Sequence, residues 1–408
     1  MDADQADPLK NFRDKFFIPK DKNGKDVIYF AGNSLGLQPK TVRAYIEQEL
    51  KDWATLGVEG HLHAKNPWLP YHEFLTQQTA ELTGAKPEEV VNMNSLSVNL
   101  HLLFASFYKP KKYKNKIVIE SNAFPSDHYA VQSQIKFHGY DIDSTLVEVK
   151  PRFGEDNLRT GDILDFIEIF GDSVSLLWFA GVNYYTGQSF EIEKIANACH
   201  KKNIIAGFDL AHSVGNTLLK LHDWNVDFAV WCNYKYMNGG PGSIGGAFIH
   251  EKHLKNYSLP KFLGWWGHDK TTRFLMGHDY VPIPTAESWQ LSNPPILQLA
   301  SLKASLDIFE EATMSALRMK SEMLTGYLEF LIKDSNNDNI EIITPSDITQ
   351  RGCQLSLRIK KNGKEMYHRM ISEGVICDWR EPDVIRVAPV PLYNGFADVW
   401  NFSEKLRQ

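Results

Sequence analysis

Lys235 follows the run Phe228-Ala229-Val230-Trp231-Cys232, apolar enough for a buried strand, so its amine arrives at what reads as a strand's C-terminal end. An amine in that position suits carbonyl chemistry. A second run, Ile204-Ile205-Ala206-Gly207-Phe208, ends in Asp209 and is followed by His212, which puts an acid and an imidazole at a similar terminus. A pyridine ring accepts electrons from a carbanion only while its nitrogen is protonated, and a buried carboxylate favours that charged form. Amine, acid and imidazole together point to a pyridoxal phosphate site, with Asp209 on the ring nitrogen. Each has a plainer reading: an Asp also caps a turn after a strand, and a His three residues on either packs near the ring or satisfies polar groups of the core.

A phosphate needs backbone N–H donors at a helix start, supplemented by hydroxyls. Asn94-Ser95-Leu96-Ser97 supplies them directly after the apolar Val90-Val91, with Ser97 the first-choice hydroxyl, although ordinary capping explains the same residues. Phe124-Pro125-Ser126-Asp127 marks a second helix start after Ile117-Val118-Ile119 and offers an aromatic face to a flat ring. The glycine-dense stretch from Asn238 to Gly246 lacks the endings of a nucleotide-binding loop and reads as a tight turn. His61-Leu62-His63 has no carboxylate or cysteine cluster near it in sequence, which argues against a metal. Arg386 interrupts the apolar pattern Val384-Ile385-Arg386-Val387; its guanidinium is either paired with an internal acid or aimed at a ligand carboxylate.

The elements that must hold these groups alternate along the chain. Strand-like runs at residues 89–91, 117–119, 174–179, 204–208 and 228–231 are separated by helix-like segments, the pattern of a mainly parallel sheet wrapped by helices, with ligands at the carboxyl ends of its strands. Ile296 to about Ser335 reads as helix. Strands near residues 340–343, 354–359 and 384–387, around a helix from about Lys364 to Glu373, predict a small C-terminal α/β domain. The expected division is residues 1–50 as an N-terminal segment packing on the small domain, 51–295 as the large domain, and 296–408 as linking helix plus small domain.

With 408 residues, 43% of them hydrophobic, the chain can bury large cores. Its 44 basic and 50 acidic side chains, net −6, leave no positive excess for a nucleic-acid partner. The acidic start lacks the pattern of a signal peptide and no apolar run reaches bilayer length, so the expectation is a cytoplasmic protein with no membrane partner. Cys199, Cys232, Cys353 and Cys377 have no paired spacing and read as reduced structural thiols.

The chain resembles the kynureninase family, fold-type-I pyridoxal phosphate enzymes of the aminotransferase superfamily. The resemblance runs in order through Gly32 to Leu37, Met93 to Leu103, Phe124 to Asp127, Tyr185 to Gln188, Asp209 to His212, Tyr234-Lys235-Tyr236, Gly264 to His268, Ser292 to Pro295 and Arg386 to Asn394. It implies a large domain with a mainly parallel sheet of the seven-stranded type, plus a small α/β domain. It further implies hydrolysis of L-kynurenine or its 3-hydroxy form to L-alanine and anthranilate or 3-hydroxyanthranilate, in tryptophan degradation and NAD biosynthesis. On this resemblance Lys235 carries the cofactor; Leu96, Ser97, Phe124, Ser126, Asp127, Asp209, His212, Tyr234, Trp265 and Asn293 surround it; Tyr234 also transfers protons; and Arg386 grips the substrate's α-carboxylate. Ser34, His61, His268 and Asn293 are implied around the substrate, His61 and Asn293 with a preference for the 3-hydroxylated ring. Homodimers with shared active sites are expected too. The competing readings are a related enzyme such as a cysteine desulfurase or aminotransferase, and a binding protein without activity.

Overall fold

The computed structural model describes residues 2–407. Its strands, in chain order, are β1 (Ile28–Tyr29), β2 (Val90–Asn92), β3 (Lys116–Glu120), β4 (Leu146–Val149), β5 (Val174–Ala180), β6 (Ile205–Asp209), β7 (Phe228–Cys232), β8 (Gly245–Ile249), β9 (Ile340–Ile342), β10 (Leu355–Ile359), β11 (Val375–Ile376), β12 (Asp378–Arg380) and β13 (Val384–Val387). Seven of them form one sheet in the order β2-β8-β7-β6-β5-β3-β4. Only β8 runs against the others, antiparallel to both β2 and β7.

This sheet is apolar on both faces because successive side chains alternate between two cores. Ile117, Ile119, Leu176, Trp178, Phe228 and Val230 face one core. Val118, Leu177, Phe179, Ala229 and Trp231 face the other. The first is closed by helices Leu96–Phe107 and Pro125–Phe137, whose Phe107 ring stacks on Phe228 at 4.7 Å. Gly207 must be glycine in this packing, since a Cβ there would lie 2.4 Å from the Phe228 ring. The second core takes Leu299, Leu302, Leu306 and Phe309 from the helix Ile296–Ala312.

The single long helix expected from Ile296 to about Ser335 is two helices. Thr313 adopts a φ of +61°, and its hydroxyl accepts from Ala316 N at the start of the second, Met314–Asp334. That break redirects the chain from one core to another: Leu324, Leu328, Leu331 and Ile332 pack with Leu355, Leu357, Ile385 and Val387 behind the antiparallel sheet β12-β13-β10-β9. β1 pairs in parallel with β11, and Phe30 adds its ring to the same cluster. Among the described residues no helix is long and apolar enough to cross a membrane.

At the sheet end opposite the strand C-termini, buried Asp227 ties β6 to β7. Its carboxylate accepts from Ala206 N at 2.8 Å and meets His200 Nε2 at 2.9 Å, His253 Nε2 at 2.8 Å and Lys252 Nζ at 2.8 Å. Burial works against the charge, but the histidine hydrogen bonds and the Lys252 charge outweigh it and hold the acid well below its ordinary range. A folded-state pKa below the unfolded value gives stability that is complete above about pH 4 and drains away as pH falls below it. Asp227→Asn is therefore expected to lower urea stability at pH 7 by about 3 kcal/mol and to converge on the parent below about pH 4. Parallel curves for the two proteins across that range would refute the assignment.

Candidate active site

The carboxyl ends of β3, β5, β6 and β7 carry Glu120, Ala180, Asp209 and Cys232, and a cleft opens above the first three of these. Lys235 enters it from the turn after β7. Gly36 N donates to Tyr234 O at 2.8 Å, Asn238 N to Lys235 O at 3.0 Å and Gly239 N to Asn233 O at 2.8 Å, so backbone bonds pin that turn on both sides. The tight turn expected at Asn238–Gly246 is a turn only in its first part, since Gly245 already begins β8. The Lys235 amine stands 3.0 Å from His212 Nε2 and 5.8 Å from the centre of the Phe124 ring.

Three buried acids lie below the amine. Asp209 Oδ1 accepts from Ala211 N at 2.7 Å, Glu120 accepts from Ala180 N at 3.2 and 3.3 Å, and Asp127 leaves Oδ1 without a partner. Burial pushes the Glu120 carboxyl up to about 8. Burial, then the charges of Asp209 and Glu120, push Asp127 well above its ordinary range. At Asp209 burial also raises the pKa, but there the positive charge of Lys235 and the Ala211 N–H oppose it. Of the three, Asp209 is thus the acid best placed to carry the negative charge. His212 is held well below its usual pKa, first by burial and then by Lys235, and its Nδ1 has no partner.

Two helix starts converge at the other end of the cleft. Neither Ser95, which caps Leu96–Phe107, nor Phe124, which caps Pro125–Phe137, makes a side-chain capping bond. The Ser97 and Ser126 hydroxyls are 3.2 Å apart. The N–H groups of Leu96, Ser97 and Val98 at the first helix start, beside the paired hydroxyls, form an anion site. A flat pyridine ring bearing an aldehyde and a phosphate fits the whole set: hydroxyls and helix starts at one end, the Phe124 ring on a face, the acid at Asp209 and the amine of Lys235. Tyr234 also lines the cleft, its phenol pushed up by burial and by neighbouring Cys232.

Arg386 sits beside this cleft and is paired with an internal acid. Alternation along β13 turns Ile385 and Val387 to the helices and Arg386 to the opposite face. There it meets Asp378, its cross-strand neighbour on β12, at 2.7 Å, and its Nη1 donates to Tyr184 O at 2.8 Å. Ser34 donates its hydroxyl to the same Asp378 at 2.8 Å.

Six expected residues do not line the cleft within one chain: Arg386 and Ser34, which meet at Asp378 beside it, and four that lie elsewhere. Trp265 and Asn293 are exposed, and His61 lies edge-on to Trp68 at 5.5 Å. Both His268 ring nitrogens are taken locally, by Thr272 Oγ1 and Val281 N, each at 3.0 Å. Sequence reasoning missed Glu120, Tyr184 and Asp378. Glu120 carries the signal used for Asp209, a polar residue closing an apolar strand, whereas Asp378 is found only through strand pairing.

Residues 317–406 match the model of the kynureninase C-terminal domain. A kynureninase of Koribacter versatilis is 54% identical over 405 residues, covering 99% of this chain and 96% of the relative. That of Mus musculus is 49% identical over 418 residues, covering 98% and 90%. Among solved structures, a C-DES variant with glycine covalently linked to its PLP cofactor superposes with a TM-score of 0.78 at 16% identity over 94% of this chain and 96% of that one, which establishes the shared fold. Half-identity sustained from end to end, across the strands that build the cleft and those that hold Arg386, means that the chain belongs to the kynureninase family.

Proposed function

We propose that the cleft beneath Lys235 is where this chain performs the reaction of its family. The protein is a pyridoxal phosphate-dependent hydrolase that cleaves kynurenine. The observation that carries the site is the convergence of the Lys235 amine, 3.0 Å from His212, with buried Asp209 and two uncapped helix starts in one cleft. Pyridoxal phosphate supplies an aldehyde that binds amines and a pyridinium ring that accepts electrons. Lys235 would hold the cofactor through its aldehyde, and its amine, when free, would take the substrate's Cα proton. Asp209 would favour the protonated ring nitrogen, while Ser97, Ser126 and the N–H groups at the start of helix Leu96–Phe107 would hold the phosphate. Arg386 orients the α-carboxylate. Tyr234 takes a proton from the water that adds to the γ-carbonyl and returns one to Cβ as the Cβ–Cγ bond breaks, so that water gives its oxygen to the anthranilate carboxyl and a hydrogen to the methyl group of L-alanine.

The desulfurase alternative requires a thiolate that can reach substrate. Cys353 and Cys377, the candidates in the C-terminal part, are 1% and 4% exposed, and burial pushes both thiols up to about 12.

We place the protein in the cytoplasm, with no nucleic-acid partner, as a homodimer in which a second copy covers exposed Leu62, Phe262, Leu263, Trp265 and Phe274. His61, Trp265 and Asn293 then serve the neighbouring cleft. The packing of β1 and Phe30 against the C-terminal sheet supports assigning that stretch to the small domain, with Ile296–Ala312 as the linking helix after a division near residue 295, although Leu9, Phe12, Phe16 and Leu37 join the core of the large sheet.

Lys235→Ala is expected to lower turnover by about 10⁴-fold or more and Tyr234→Phe by about 10²-fold, both as folded, phosphate-binding proteins. Borohydride reduction should fix the cofactor to residue 235 alone. An adduct elsewhere in the mass spectrum excludes this site. On ring preference, kcat/KM for 3-hydroxykynurenine should exceed that for kynurenine and His61→Phe should erase the difference; a parent enzyme favouring the unsubstituted ring contradicts the role of His61 and Asn293. Sedimentation should give a dimer that Leu263→Glu converts to an inactive monomer. A monomeric, fully active parent enzyme removes the shared-site reading.

A further inference from the structure

The Arg386 guanidinium is 1% exposed and cannot choose its own orientation. Its five N–H donors form a rigid planar fork. Nε donates to Asp378 Oδ1 at 2.7 Å, Nη2 to Asp378 Oδ2, and Nη1 to the Tyr184 carbonyl at 2.8 Å. Among the described residues one N–H on each of Nη1 and Nη2 remains, enough to meet a second carboxylate in two places. Tyr184 itself lines the cleft, so the fork is anchored to the cleft wall. Asp378 is shared: Arg380 Nη2 lies 3.2 Å from Oδ2 and the Ser34 hydroxyl 2.8 Å from it. Two guanidiniums on one carboxylate leave one unbalanced positive charge, and Arg380 keeps a buried Nε without a partner.

We propose that Asp378 is the positioning residue of the substrate clamp: it fixes the Arg386 fork through a two-point bond so that the free edge faces the α-carboxylate, and Arg380 cancels its charge. This rests on the reading of Arg386 as the clamp. The register makes the arrangement rigid, because Asp378 and Arg386 are directly opposed on neighbouring antiparallel strands and the fork spans a fixed cross-strand gap. Without Arg380, Asp378 would neutralise Arg386 and leave the pair with no net attraction for an anion.

Two effects of Asp378→Asn have opposite signs. Loss of a negative charge beside the clamp strengthens attraction for a carboxylate; loss of the two-point bond lets the fork turn away. Positioning predicts that KM for kynurenine rises about ten- to hundred-fold while kcat stays within a few-fold. The inhibition constant of kynuramine, the decarboxylated analogue, stays unchanged because it has no carboxylate to orient. Arg380→Gln is expected to shift the same two quantities in the same way, and it decides the matter where Asp378→Asn does not accumulate as folded holoenzyme. Tighter or unchanged kynurenine binding in the variant that folds overturns the proposal, and so does equal weakening of kynurenine and kynuramine. Arg386→Lys is the control: if it too fails to separate the two compounds, the clamp reading itself is lost, whereas separation there without separation at Asp378 and Arg380 sinks only the positioning role.

Discussion

The Lys235 amine facing buried Asp209 across the carboxyl ends of neighbouring strands β7 and β6 is the charge relationship on which the rest of the molecule depends. A carboxylate at the bottom of a cleft and flanked by Glu120 and Asp127 keeps its charge only if a cation stands near it. Lys235 supplies that cation. Burial pushes the other two acids toward their neutral forms. Everything that fixes the register of β6 against β7, including the Asp227 cluster at the far end of the same two strands, therefore also fixes the electrostatics of the cleft.

The C-terminal sheet meets this site from the side and obeys a different logic. The large sheet is buried on both faces, so its functional groups can stand only at strand ends. The antiparallel sheet packs one face on its helices, so a charged residue can sit in the middle of a strand and point from the other face. Arg386 is such a residue, which is why an arginine interrupts an otherwise apolar strand. Position 386 tolerates the charge because Asp378 lies opposite and the Tyr184 carbonyl comes across from the loop after β5.

Much of this was legible in the sequence because it is local. The apolar runs that end at Asp209 and Cys232, and the helix starts at Ser95 and Phe124, announce both their conformation and the chemistry next to them. What was not legible has two causes. Some elements lack a strong signal: β4 is half-exposed, β8 begins in glycines that read as a turn, and nothing in the periodicity marks the Thr313 break between two good helices. Other facts are relations between distant residues. The sequence left Arg386 open between an internal acid and a ligand, and the fold answers that an internal acid holds it, though not to the exclusion of a ligand. The places of His61, Trp265 and Asn293 depend on surface left over after one chain has folded, which no local pattern encodes.

Three buried acids at the cleft and two guanidiniums on Asp378 are costly inventory. Buried ion pairs seldom stabilise more than well-packed apolar residues of the same volume, because desolvation of both partners offsets their attraction. Replacing Arg386 alone would leave Asp378 paired with Arg380 and with the Ser34 hydroxyl, whereas replacing Asp378 would take the carboxylate from both guanidiniums. The stability cost should therefore be greater for a change at Asp378 than for one at Arg386. On these terms the cluster adds little to folding beyond what an apolar core of the same volume would, and its geometric effect is to fix the orientation of the Arg386 fork.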